Sequence, residues 1–111
     1  MQTIRNLATM AFVAVVATSP ASANPTMAAQ FCPVIESLAH TIMVRRQEGT
    51  TVATMMEIVD TAGSPELRTL AQVIVRDAYE VPRYRSDSVR NDAALDFAAD
   101  AAVACWAGFT E

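Results

Sequence analysis

The N-terminal stretch restricts the fold most, because it marks out which residues are left to fold. Arg5 is the only charge before Glu36, and Leu7 to Thr18 is a run of twelve residues dominated by Ala, Val, Met and Phe. That length suits the apolar core of a secretory leader and falls short of the ~20 residues that span hydrocarbon. Pro20-Ala21-Ser22-Ala23 then follows, a helix breaker ahead of small residues at the two positions a signal peptidase reads. Residues 1–23 therefore read as a cleavable signal peptide, with the cut before Asn24, and residues 24–111 as one mature domain. Cys32 lies too far beyond the apolar run for a lipoprotein box. The expectation is an exported protein, periplasmic rather than extracellular, with no retained membrane segment.

Export changes the charge that matters. The whole chain carries −4 and contains no Lys; losing the leader removes Arg5 and no acid, so the mature domain stands at −5. An acidic chain with scattered Arg lacks the basic footprint of a nucleic-acid binder, or of a protein that seeks anionic membranes. A domain this short buries a modest core and gains from a covalent staple. Cys32 and Cys105 offer one, since an oxidising compartment lets a disulfide persist. A bridge within one chain is the main reading; free thiols or a bridge between two chains stay open.

Between the cysteines the apolar period is helical. Phe31, Val34, Ile35, Leu38, Ala39 and Ile42 form the stripe of a first helix, with Pro33 in its first turn and Gly49 closing it. A short second helix, capped by Thr50 or Thr51, sets Val52, Met55, Met56 and Val59 on one face before Gly63. Ser64-Pro65-Glu66 opens a third, with a capping hydroxyl, a proline fit for the first position and an acid favoured by the dipole. Its face is Leu67, Leu70, Ala71, Ile74 and Ala78, and Pro82 ends it. Ser86 or Asp87 caps a fourth, Ala-rich helix with a stripe of Ala93, Phe97, Ala101 and Ala104, flanked by Ala94, Ala98 and Cys105 and ended by Gly108. In an up-down bundle with short connections, the start of helix one and the end of helix four share one end, which is where the cysteines fall. The expected fold is all-α, a compact four-helix domain clasped by one disulfide between first and last helices.

Chemistry is sparse. His40 shares a helix face with Glu36 and Val44 away from the first stripe, which reads as surface. One His beside two cysteines lacks the ligand number and spacing of a zinc site, so no metal and no cofactor are expected. Asp92, Asp96 and Asp100 recur every fourth residue and read as a solvated face, opposite Arg45 and Arg46. No nucleophile elbow or S-x-x-K pattern accompanies the hydroxyl residues, so an enzyme is not expected and no catalytic residue is assigned. Met55 and Met56 read as core. The most unusual composition is Tyr79-Glu80-Val81-Pro82-Arg83-Tyr84-Arg85, which holds both tyrosines and two arginines. Tyr and Arg are enriched at interaction hot spots, and loops carry such sites. Tyr79, Arg83, Tyr84 and Arg85 are therefore the candidate interaction surface, set against the simpler reading in which Tyr79 packs and Pro82 sets a turn.

The segments Ile42-Met43-Val44-Arg45-Arg46-Gln47-Glu48-Gly49, Ala78-Tyr79-Glu80-Val81-Pro82 and Phe97-Ala98, together with Cys105, resemble those of small exported two-cysteine helical proteins of bacteria and phages. The resemblance covers most of the mature chain and implies export and architecture, without an activity. In size, acidity and helicity the chain is also similar to the acid-stress chaperone of the enterobacterial periplasm, whose cysteines lie closer together. Two functions follow as expectations: a periplasmic protein-binding or regulatory module with an unidentified protein partner, or an acid-activated chaperone opened by carboxylate protonation. An enzyme of unrecognised type comes third.

Overall fold

The computed structural model describes residues 25–110, so the expected signal peptide lies outside the described residues. Within them the chain forms α1 (Pro25–Glu48), α2 (Val52–Val59), α3 (Pro65–Tyr79) and α4 (Asp87–Thr110), with no strand among the described residues. The local chemistry acts where expected. Thr51 Oγ1 accepts from the amide of Thr54, Ser64 Oγ from that of Leu67 and Ser86 Oγ from that of Val89, so each helix start gains a partner for an otherwise unpaired N–H. Gly49 ends α1 at φ +98°, the left-handed conformation that glycine adopts without cost. The amide of Thr50 then reaches back to the Arg45 carbonyl and that of Gly49 to Arg46, the paired bonds of a Schellman turn.

Two boundaries differ from the sequence expectation. The first helix begins at Pro25, not near Phe31, so Pro33 lies inside it and Ala29 loses a helical donor. The burial of Ala28 and Cys32, each 1 % exposed, holds that extra turn in place. Gly108 does not stop α4, which runs on to Thr110. A glycine weakens a helix interior by about 1 kcal/mol, and the contact of Phe109 with Phe31, at 6.2 Å between rings, favours keeping the turn.

The core is built around α1. Ile35, Ala39, Ile42 and Met43 pack with Met55, Val59, Ala71, Ile74, Val75, Ala78 and Ala94. By length and composition Thr26–Glu48 also meets the requirement for crossing a membrane. Its apolar side chains are instead the centre of this core, where Ala39, Ile42 and Met43 are fully buried. Val34, assigned to the stripe, is half exposed, and Val75, left out of the third helix's face, is fully buried. On α1 the buried Ala28, Cys32, Ile35, Ala39, Ile42 and Met43 form one contiguous arc of the helix, and Val34 falls outside it. The helix packs most extensively against α4, to which the disulfide joins it, and also against α3 and α2.

Cys32 and Cys105 form the disulfide between first and last helices, with Cα atoms 5.7 Å apart across a separation of 73 residues. Among the described residues no free cysteine remains. The helices run up-down-up-down, but they do not make a square. α3 leans on α1 and α2, while α4 packs along α1 and makes no extended contact with α3.

Candidate functional site

The loop that the sequence singles out is folded onto the end of α1, and Gln47 is the reason. This side chain is the sole buried polar one among the described residues, at 2 % exposed. Its Nε2 donates to the Pro82 carbonyl at 2.9 Å, and its Oε1 accepts from the Tyr84 amide at 2.8 Å. One side-chain amide thus pairs with a carbonyl and an N–H two residues apart in the loop. Arg83 Nε donates to the Gln47 carbonyl at 2.9 Å, Arg46 Nε to the Val81 carbonyl at 3.1 Å and Arg90 Nε to the Tyr84 carbonyl at 2.6 Å. The Tyr79 hydroxyl donates to the Thr50 carbonyl at 2.6 Å, and the Arg46 guanidinium lies 4.9 Å from the Tyr79 ring centroid. Cationic donors at a helix C-terminus meet the carbonyls that the helix leaves unpaired.

This packing also accounts for Gly49. A Cβ there would meet the Arg83 guanidinium at 3.0 Å, on top of the strain of a positive φ. Burial pushes the Tyr79 phenol above its ordinary value of 10, with the Arg46 charge pulling the other way. Of the four residues assigned to an interaction surface, Tyr79 and Arg83 thus donate from their side chains to backbone carbonyls, Tyr84 is held through its main chain by Gln47 and Arg90, and Arg85 is exposed. Gln47 itself escaped sequence reasoning. It lies one turn beyond the buried Met43 on α1, where a polar side chain reads from sequence as solvated.

The opposite end of the molecule has another character. Where α3 and α4 splay apart over α1, they leave an open groove of about 540 Å³. Phe31 and Ile35 form its floor, Leu70, Val73 and Ile74 one wall, and Phe97, Ala101, Ala104 and Gly108 the other, with the disulfide and Phe109 at its end. Its only charged lining residues are Asp77 on α3 and Asp100 on α4. Asp100 belongs to the acidic stripe read from the sequence, and Asp92, Asp96 and Asp100 are all exposed. Arg46 does not face that stripe, being turned to Tyr79 and Val81.

His40 is half-buried rather than fully at the surface, in a shallow depression with Glu36, Ser37, Leu95 and Ala98. Among the described residues no group of three or more His, Cys, Asp or Glu is placed to hold a metal ion. No protein family, characterised protein or solved structure matches the chain.

Proposed function

We propose that this chain is an exported protein-binding module of the periplasm, and that it engages its partner through the groove between α1, α3 and α4. The disulfide and the apolar N-terminal segment support export. The observation that carries the binding reading is the groove itself: an open, largely apolar concavity whose size lies within the range of ligand and peptide sites. Val73, at 37 % exposed, keeps apolar surface in contact with water there. The loop of Tyr79 to Arg85 ranks below it, because the Tyr79 and Arg83 side chains already have intramolecular partners and the Tyr84 main chain is held by Gln47 and Arg90.

Peptide selection from a random display library on the immobilised, oxidised domain tests this reading. Selected peptides should shift the amide resonances of Val73, Ile74, Ala101 and Ala104 in the ¹⁵N-labelled protein. A selection that yields no binder, or binders that map to Tyr84 and Arg85, would overturn the assignment to the groove.

A further inference from the structure

Resting on the groove reading, we infer that the occupant is a short amphipathic helix with cationic residues beside its apolar stripe. The form of the occupant follows from the walls. An apolar groove satisfies no backbone N–H or C=O groups, and a helix pairs its own. Among the described residues there is no sheet edge to accept an extended strand. The groove runs beside α4 from Phe97 to Phe109, about 18 Å at the rise of an α-helix, which matches about three turns of a partner and leaves room for anchors spaced i, i+4, i+7. Ala101, Ala104 and Gly108 keep that wall low, so a helix axis can approach to the ordinary packing distance of about 8–10 Å. The seam it would fill is the one that α3 and α4 leave unpaired.

Charge selects the partner's flanks. Asp77 and Asp100 stand on facing walls, and none of the arginines lines the groove. The whole chain carries −4. A cationic residue on either side of an apolar stripe would meet one carboxylate, and an anionic lipid headgroup or fatty acid would meet two like charges. The chain's own exposed apolar residues on α4, Leu95, Val103 and Trp106, lie on a helix face with Asp92 and Asp96, so a second copy would bring acid against acid.

The test uses a helix-forming peptide of about 14 residues with Leu anchors at i, i+4 and i+7 and Arg flanking them, beside a counterpart with Glu in place of every Arg. The Arg peptide should bind the oxidised domain about tenfold more tightly than the Glu peptide at low salt, shifting the amides of Val73 and Ala104. That preference should fall below about threefold in D77N/D100N and in about 0.5 M NaCl. Ala104→Trp, which fills an exposed position on the wall, should abolish binding of both peptides with the helical spectrum unchanged. Equal affinity for the two peptides, lost in Ala104→Trp, would overturn the cationic partner while leaving the groove reading standing. A preference for Arg that survives D77N/D100N would likewise overturn it. Failure of both peptides, with binding of palmitate or of phosphatidylglycerol vesicles instead, would overturn the helical occupant and the groove reading together. Concentration-dependent dimerisation that Ala104→Trp removes would assign the groove to a second copy and overturn the proposal.

Discussion

The two ends of the molecule are held by opposite means. At the loop end, Gln47, Arg46, Tyr79, Arg83 and Arg90 tie five backbone carbonyls and one amide through directed hydrogen bonds. Among the described residues no buried side-chain nitrogen or oxygen lacks a partner. At the disulfide end a single covalent link and one edge-to-face aromatic contact join α1 to α4, and apolar surface stays open between α3 and α4. The difference teaches where to look for function. A polar network closed on itself has little left to offer a partner, whereas a covalent clasp fixes two helices without filling the space beside them.

The strongest way to break this comparison is to remove the clasp. In the chain-entropy view, closing a loop of 73 residues restricts the unfolded chain by about 4 kcal/mol. C32S/C105S should lose that much in a urea titration. Amide exchange should rise first at residues 28–35 and 101–109 while the amide of Tyr84 stays protected; uniform loss of protection would show that the two ends are not independent. Gln47→Leu probes the other end. It strands the Pro82 carbonyl and the Tyr84 amide, and at 1–3 kcal/mol for a buried unpaired group the expected cost is about 3 kcal/mol. Exchange should then rise at residues 81–84 and leave the groove walls unaffected.

The smallest effect sharpens the comparison through pH. Because burial raises the Tyr79 phenol, the folded state keeps its proton to higher pH than the unfolded chain. The associated stability is fully present below the unfolded value near 10 and is lost as pH rises through the folded one. In a Tyr84→Phe background, Tyr79 is the chain's single phenol, and its ultraviolet titration should show a midpoint above 10 in the folded protein and an ordinary one in urea.

The helical class, the cap at Ser64, the turn at Gly49 and the pairing of Cys32 with Cys105 were legible from residue type and spacing, and the other two caps to within one residue, Thr51 over Thr50 and Ser86 over Asp87. These depend on local chemistry or on parity of helix number. The groove was not legible. Its walls use Phe97, Ala101 and Ala104, which the apolar period marks as core, and periodicity does not say whether a neighbouring helix arrives to cover them. Gln47 was missed for the converse reason: a polar residue on a helix reads as solvated until a distant loop is brought against it.

The pairing of α1 with α4 also governs when the fold can close. No other pair of helices packs as extensively as the first and the last, so neither the disulfide nor the α1–α4 seam can form until α4 has emerged. A chain threaded through a membrane N-terminus first would deliver α1 with the side chains of Ala28, Cys32, Ala39 and Met43 still open to water. For a chain delivered in that way, completion would wait on the far end of the polypeptide, and the fold would assemble after delivery instead of during it.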